Sequence, residues 1–251
     1  MIDVAGVSCR IQGTEILAPA TLRIPDGQIT ALIGPNGAGK STLLRLIGRI
    51  APLQSGRVSI DGLDLAGTAS DRLARQMAFL GQSTALASRL RVGELVAFGR
   101  WPHCHGRPGP DDRAAVTAAL AEFGLVGLAG RFMDELSGGQ AQRAHLAMAA
   151  AQDTPWLLLD EPMNNLDLAH ARTLMEALAR RRAQGGSALV VLHDLNFAAG
   201  WADRVVAMKA GRIHAEGTPD EVLTSDILSD LYDTPIEVGR HRGRPLVLHH
   251  M

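Results

Sequence analysis

Residues 34–42 constrain this chain most, because they read Gly-Pro-Asn-Gly-Ala-Gly-Lys-Ser-Thr. The segment follows the apolar run 29–33 and precedes the apolar-periodic run 43–47, which predicts a strand, a loop and a helix in succession. The three glycines let the backbone turn tightly and bring its N–H groups close to an anion. The helix that begins here adds the positive end of its dipole, so the pattern predicts a phosphate-binding loop.

The side chains of this loop suit a nucleoside triphosphate. In the pattern G-x-x-x-x-G-K-[ST], Lys40 reaches the β- and γ-phosphates and the Ser41 hydroxyl is a ligand of Mg²⁺. An ordinary glycine-rich turn before a helix is the alternative, and the complete pattern in this context disfavours it. The residues that we expect to contact the nucleotide here are Gly34, Asn36, Gly37, Ala38, Gly39, Lys40, Ser41 and Thr42.

Composition and charge narrow the possible partners. The chain has 251 residues, of which 46% are apolar, and this is enough for a substantial core in one domain or two. Its formal net charge of -1 gives no reason to expect a nucleic-acid partner. We interpret Arg180, Arg181 and Arg182 as the solvated end of a helix. No apolar stretch approaches the roughly 18 residues of a membrane span, and no secretory signal is evident, so we expect a soluble cytosolic protein.

The order of elements is that of an α/β protein. Apolar runs at 2–7, 16–17, 29–33, 58–60, 77–80, 156–159, 188–192, 205–208 and 212–215 predict strands. Residues 92–151 are rich in Ala and Leu at helical spacing and predict a helical insertion. The prolines and glycines of 101–110 predict an exposed loop that interrupts it.

Two adjacent carboxylates, Asp160 and Glu161, end the buried strand 156–159. Burying this charge is costly unless a cation meets it, and a nucleotide with Mg²⁺ at the carboxyl edge of the sheet supplies one. We therefore expect Asp160 to hold the Mg²⁺ shell and Glu161 to polarise the attacking water. His193 ends the next buried strand and is placed to contact the γ-phosphate and orient that water.

Six motifs along the chain resemble those of ATP-binding cassette ATPases. Residues 34–42 resemble the Walker A motif, 157–161 the Walker B motif with its catalytic glutamate, and His193 the switch histidine. Gln82 stands where the family has its Q-loop glutamine, which implies contact with Mg²⁺ and coupling to the helical insertion. The segment Asn164-Asn165-Leu166-Asp167 resembles the D-loop. Residues 136–140 resemble the signature motif of the family, and they read Leu136, Ser137, Gly138, Gly139 and Gln140.

The resemblance implies a P-loop NTPase core with a mostly parallel sheet, an N-terminal antiparallel β portion and a helical subdomain. It assigns 1–82 and 152–218 to the nucleotide-binding core, 83–151 to the helical subdomain and 219–251 to a short C-terminal tail. It also implies that the signature of one copy covers the γ-phosphate held on the other. Since each chain has one phosphate loop and one signature, two copies would enclose two ATP molecules head to tail.

One position departs from the family pattern. These ATPases stack the adenine on an aromatic residue near the N-terminus, and by register Ile11 holds that place. Stacking on an aromatic ring contributes on the order of 1 to 3 kcal/mol, of which an aliphatic contact retains only part. We therefore expect weaker discrimination of adenine.

The resemblance also bears on the transported cargo. Residues 99–103 and 161–167 resemble the corresponding segments of importers of iron-siderophore complexes, which are kin of haem and cobalamin importers. This implies a peripheral subunit on the cytoplasmic face of the inner membrane, with permease subunits on the helical subdomain and, indirectly, an extracytoplasmic substrate-binding protein. An exporter ATPase, a soluble non-transport cassette protein, and a GTPase or small-molecule kinase are the alternatives.

Overall fold

A computed structural model of the chain describes residues 1–81 and 89–248. The strands are β1 Ile2–Ile11, β2 Thr14–Ile24, β3 Ile29–Ile33, β4 Arg57–Ile60, β5 Leu63–Asp64, β6 Met77–Leu80, β7 Trp156–Leu159, β8 Ser187–Val191, β9 Arg204–Lys209, β10 Arg212–Gly217, β11 Glu237–His241 and β12 Arg244–Leu248. The helices are α1 Lys40–Ile47, α2 Ser70–Ala74, α3 Val92–Phe98, α4 Trp101–Cys104, α5 Pro110–Glu122, α6 Gly138–Ala151, α7 Leu168–Ala183, α8 Leu195–Trp201, α9 Pro219–Val222 and α10 Ser225–Tyr232.

A six-stranded sheet forms the centre, in the order β10-β9-β3-β8-β7-β6. Its neighbours pair in parallel except for β10, which pairs antiparallel with β9. An antiparallel sheet in the order β2-β1-β4-β5 lies at the N-terminal side, and β11 pairs with β12 as a hairpin. The predicted α/β class, with a mostly parallel sheet and an antiparallel portion, is confirmed.

Two apolar cores cover the two faces of the central sheet. Every residue of strands β3 and β8 is buried, as expected when both faces of a parallel sheet are covered. One core packs α1 between the central and antiparallel sheets, through residues such as Leu43 and Leu46. The other core joins the opposite face to α3, α5, α6 and α7. The helical insertion therefore shares its core with the sheet that carries the phosphate loop.

The insertion contains one helix that the sequence did not predict. Residues 101–110 were expected to form an exposed loop, but Trp101–Cys104 form the short helix α4. Pro102 lies in the first turn of that helix, where a missing N–H costs no hydrogen bond. His105, with φ 48°, ends the helix in the left-handed region.

The interpretation of Arg180, Arg181 and Arg182 as a solvated helix end is wrong for Arg181. Arg181 is half-buried and donates a 2.5 Å hydrogen bond to the Thr154 carbonyl oxygen, and burial lowers the pKa of its guanidinium. Arg182 is also half-buried and pairs with Asp203 at 2.7 Å. The end of helix α7 thus contacts the segment before β7 through Arg181 and the segment before β9 through Arg182.

Residues 219–248 form α9, α10 and the hairpin, and these elements pack on the core through Leu228, Leu231 and Val247. Lys209 in β9 pairs with Asp233 at 2.8 Å and also donates to the Asp230 carbonyl oxygen, which holds the end of α10 on the central sheet. No helix in the described ranges has the length and apolar character that a membrane crossing requires.

Candidate functional site

Three strands bring the predicted site residues to one edge of the central sheet. Strand β8 lies between β3 and β7, and all three are parallel. Their carboxyl ends therefore meet at the same edge. The loop that begins at Gly34 follows β3, Asp160 and Glu161 follow β7, and His193 lies just after β8. The order of strands in the sheet, rather than their order along the chain, places these groups together.

The phosphate loop needs glycine at two positions, where a side chain would meet the backbone carbonyl oxygen of a neighbouring strand. Gly34 has φ 141°, and a Cβ atom there would lie 2.1 Å from the Met208 carbonyl oxygen of β9. Gly39 caps α1 at its N-terminus with φ 93°, and a Cβ there would lie 3.0 Å from the Ile16 carbonyl oxygen. The loop is also tied to the β9–β10 turn, because the Gly211 N–H donates to the Ala38 carbonyl oxygen at 3.1 Å.

Lys40 lies in the loop as a buried cation. Its Nζ donates to the carbonyl oxygens of Gly34 at 2.7 Å and Pro35 at 2.9 Å. Burial lowers the pKa of Lys40, and the nearby charges of Glu161 and Asp160 oppose this effect. The ammonium group is therefore held within the loop by backbone dipoles and by the two carboxylates.

Asp160 is a buried carboxylate, only 3% exposed, and it accepts a 2.7 Å hydrogen bond from Ser41 Oγ at the start of α1. Burial is the largest cause of the raised pKa of Asp160, the hydrogen bond from Ser41 opposes it, and the charge of Glu161 adds to it. The hydroxyl at the start of α1 and the carboxylate after β7 thus form one oxygen pair beside the phosphate loop.

Both oxygens of Glu161 have a neighbouring donor. Oε1 lies 2.7 Å from Nε2 of His193, and Oε2 accepts a 2.8 Å hydrogen bond from Nδ2 of Asn164. Glu161 itself has φ 49°, in the left-handed region that non-glycine residues rarely occupy. Strain of this kind is typical of functional sites, and here the surrounding contacts hold the carboxylate in one orientation.

The signature segment begins helix α6. Ser137 is the N-cap: its Oγ accepts a 3.3 Å hydrogen bond from the Gln140 N–H, while Gln140 Oε1 accepts one of 3.0 Å from the Ser137 N–H. Leu136 precedes the cap, and Gly138 is exposed at the first helical position. The cap leaves the positive end of a 14-residue helix dipole at the surface.

The D-loop residue Asp167 begins helix α7. Its Oδ1 accepts a hydrogen bond of 2.8 Å from the His170 N–H and one of 2.7 Å from His170 Nδ1. The backbone bond is the largest cause of the lowered pKa of Asp167. Leu168 follows as a strongly exposed apolar residue, so an apolar side chain stands on the surface directly beside this cap.

The predicted adenine contact, Ile11, lies on a different sheet from this cluster. Ile11 ends β1 and is 53% exposed, so its side chain offers an accessible aliphatic surface at the end of the antiparallel sheet. Gln82 lies outside the described residues.

Three contacts near the site are not predicted by the sequence. Asn164 donates to Glu161, Gln142 donates to the Pro162 carbonyl oxygen, and the backbone of Gly34 hydrogen-bonds to the hydroxyl of Tyr232. For Asn164 the signal was present, since a side chain three residues after Glu161 can reach back across a tight turn. For Gln142 and Tyr232 no local pattern indicates the contact.

A match to known proteins agrees with this geometry. Residues 17–164 match the family model described as ABC transporter. The petrobactin import ATP-binding protein YclP of Bacillus subtilis (strain 168) is 41% identical over 95% of this chain and 95% of its own length. The hemin import ATP-binding protein HmuV of Streptomyces coelicolor is 42% identical over 98% of this chain and 88% of its own.

A solved structure extends the comparison to the fold. The cassette MJ0796, described as a dimeric bacterial ABC transporter cassette, superposes with a TM-score of 0.78 at 27% identity, over 87% of this chain and 98% of the cassette. A second structure of it is a dimeric post-hydrolysis state bound to ADP and Pi. The predicted resemblance to cassette ATPases, and within them to iron-siderophore and haem importers, is confirmed. The chain belongs to the ABC transporter family and is an ATPase of that family.

Proposed function

We propose that this chain is the ATP-hydrolysing subunit of an importer for an iron-siderophore or related iron-chelate complex. One observation carries the proposal: the carboxylate of Glu161 is held between His193 and Asn164 at the sheet edge where the phosphate loop begins. The relatives that import petrobactin and hemin support the class of cargo. The protein would work peripherally on the cytoplasmic face of the membrane, together with separate permease subunits.

The phosphate loop would bind the triphosphate of ATP. Backbone N–H groups of residues 34–42 and the start of α1 face the anion, and Lys40 exchanges its backbone carbonyl partners for the β- and γ-phosphates. Ile11 would contact the adenine from the end of β1. This division gives the phosphates a rigid glycine-dependent cradle and the base a single aliphatic surface.

The residues at the sheet edge suit Mg²⁺. The Ser41 hydroxyl and the buried Asp160 carboxylate are oxygen ligands of the kind that this hard cation prefers, and Gln82 would be a third. When bound, Mg²⁺ would neutralise charge on the β- and γ-phosphate oxygens. A cation next to Asp160 also removes the cost of a buried carboxylate.

Glu161 would be the general base. Its carboxylate accepts a proton from the water that attacks the γ-phosphate, and His193 and Asn164 hold the two oxygens in place. His193, half-exposed beyond β8, would also contact the γ-phosphate and orient the water. The reaction then needs the carboxylate to keep its orientation while the proton moves to it.

A second copy of the chain would complete the site. The N-terminus of α6 presents Ser137 and Gly138 at the surface, where its dipole favours an anion. In a head-to-tail dimer, this signature would cover the γ-phosphate held by the partner subunit, and the D-loop residue Asp167 would lie at the same interface. The dimeric state of the solved cassette supports this arrangement.

The helical subdomain would receive the permease subunits. A cavity of about 650 Å³ on its surface is lined by apolar residues that include Leu90, Phe98, Trp101 and Val116. Phe98 and Trp101 are about half-exposed, and large exposed aromatic surface of this kind is typical of protein interfaces. We assign this surface to a cytoplasmic segment of a permease, with Gln82 coupling the nucleotide site to it.

Two experiments test the proposal. Glu161→Gln should still bind ATP but lose hydrolysis, and with ATP and Mg²⁺ it should shift to twice the monomer mass. The control Glu176→Gln, on the exposed face of α7, should keep hydrolysis and show no such shift. A Glu161→Gln protein that stays monomeric under all conditions contradicts the dimer.

With permease subunits in liposomes, a ferric siderophore should stimulate ATPase activity. Trp101→Ala should weaken co-purification with the permease subunits, while the exposed Val126→Ala should not.

Haem is the second candidate cargo, because the hemin-importing relative matches 98% of this chain. The same liposome assay separates the two: stimulation by hemin without stimulation by ferric siderophores would assign the chain to haem import. The cargo is read outside the membrane, so the assay needs the partner binding protein as well as the permease.

A further inference from the structure

Two contacts join the signature helix to the segment that follows the catalytic strand. Gln142, 4% exposed in α6, donates a buried 2.9 Å hydrogen bond from Nε2 to the Pro162 carbonyl oxygen. Three residues earlier, a Cβ atom on Gly139 would lie 2.8 Å from the Asn165 carbonyl oxygen. The first turns of α6 therefore pack directly on residues 162–165, with no space for a larger side chain at Gly139.

The same segment holds the catalytic carboxylate. Pro162 follows Glu161 directly, and Asn164 returns to it twice, through Nδ2 to Oε2 at 2.8 Å and through its N–H to the Glu161 carbonyl oxygen at 3.2 Å. Glu161 and Asn165 both have left-handed φ values, of 49° and 65°. A turn with two strained residues keeps its shape only while its neighbours hold it.

We propose that Gln142 is a positioning residue that couples the signature helix to Glu161 of the same chain. The inference rests on the proposed function, in which the signature contacts the nucleotide of the partner subunit. A shift of α6 on that nucleotide pulls the Pro162 carbonyl and with it the backbone of Glu161. Each Glu161 is thereby placed for catalysis by the ATP at the opposite site of the dimer.

Mixed dimers with two affinity tags test which active site depends on Gln142. Two arrangements of the mixed dimer are compared. In each of them one chain carries Glu161→Gln, so that the dimer keeps a single intact Glu161. With Gln142→Met on the other chain, beside the intact Glu161, kcat should fall about tenfold while KM for ATP is unchanged. With Gln142→Met on the Glu161→Gln chain, activity should equal that of the dimer carrying Glu161→Gln alone.

The two arrangements distinguish this coupling from a merely structural role. If Gln142 only shapes the signature surface, the second arrangement is the impaired one, because the intact site then uses the altered signature, and the proposal is overturned. Equal activity in both arrangements overturns it too. Arg143→Met is the matched control, since Arg143 donates at 2.9 Å to the Phe123 carbonyl oxygen within the helical subdomain and should not distinguish them.

Two further measurements keep the outcomes separate. Gln142→Leu repeats the test in case the methionine variant fails to fold. The Glu161→Gln homodimer is measured first with ATP and Mg²⁺. Absence of that dimer overturns the proposed function together with this coupling, whereas a normal dimer with equal mixed activities overturns the coupling alone.

Discussion

Ser41 Oγ donates a 2.7 Å hydrogen bond to Asp160 Oδ1 across 119 residues of chain. The bond joins the first turn of α1 to the end of β7, and it places a hydroxyl and a buried carboxylate beside the same phosphate loop. The stability and the chemistry of the site both depend on this pair.

Asp160→Asn should stabilise the nucleotide-free protein at neutral pH and abolish ATP hydrolysis with Mg²⁺. Burial raises the pKa of Asp160, which means that the folded protein tolerates the protonated carboxyl better than the ionised one. That contribution to stability is complete below the ordinary value of 3.8 and is lost as pH rises through the folded pKa. The melting temperature of the variant should exceed that of the native protein at pH 8, with the difference shrinking towards pH 4. The exposed Asp134→Asn is the control, and a lower melting temperature for Asp160→Asn at pH 8 contradicts the prediction.

Tyr232 should titrate far above a free phenol. Burial raises its pKa from 10.0 to about 12, and the hydrogen bond from Gly34 opposes this effect. The neutral phenol therefore contributes stability that is complete below pH 10 and is lost as pH rises through about 12. Tyr232 is the single tyrosine in the sequence, so phenolate absorbance reports on it alone. At roughly pH 11, midway between these two values, the native protein should show little phenolate, whereas the urea-unfolded chain should be mostly ionised. Equal ionisation of both refutes the burial argument.

Asn164→Ala should lower kcat about tenfold or more and leave KM for ATP within about twofold. The variant loses the hydrogen bond to Glu161 Oε2, and a bond to a charged group is typically worth about 1.5 to 3 kcal/mol. Steady-state kinetics of the dimer measure the changes in kcat and in KM separately. Asn196→Ala, which breaks only bonds to Val247, is the control, and an unchanged kcat in Asn164→Ala would show that His193 alone orients the carboxylate.

Ile11→Tyr should tighten ATP binding by about fivefold or more, because an aromatic ring at this exposed position can stack on the base. Calorimetric titration of both nucleotides into the native and variant proteins measures the change. Ile50→Tyr, at another exposed aliphatic position, is the control. No change in either affinity would show that the adenine does not contact Ile11.

Gly34→Ala should be far more damaging than Gly37→Ala. Both glycines have positive φ, but a Cβ at Gly34 meets the Met208 carbonyl oxygen at 2.1 Å, while a Cβ at Gly37 has no atom of the described structure within 4 Å. Gly37→Ala should cost only the left-handed conformation, about 1 to 2 kcal/mol. Thermal unfolding and ATP binding are measured for the two variants. Equal losses of stability in Gly34→Ala and Gly37→Ala contradict the role assigned to Met208.

Local patterns were sufficient for several elements. The strand, loop and helix around residues 34–42 could be predicted because glycine spacing and the apolar runs act within a few residues, and α6 begins at Gly138 where its serine cap indicates. The failures have a physical cause as well. The pattern does not predict helix α4, because Pro102 is compatible with a first helical turn as well as with a loop. The burial of Arg181 depends on the segment that packs against it, which its place in the helix does not indicate.

The sequence by itself determined the α/β class, the family and the identity of the groups at the site, because each of these is written in short motifs whose backbone and side-chain chemistry is local. Only the tertiary structure decided which groups meet: the order β3-β8-β7 brings Asp160 to Ser41, the turn at Glu161 brings in Asn164, and packing of α6 and α10 adds Gln142 and Tyr232. Such contacts depend on the packing of distant segments, and no local pattern encodes that.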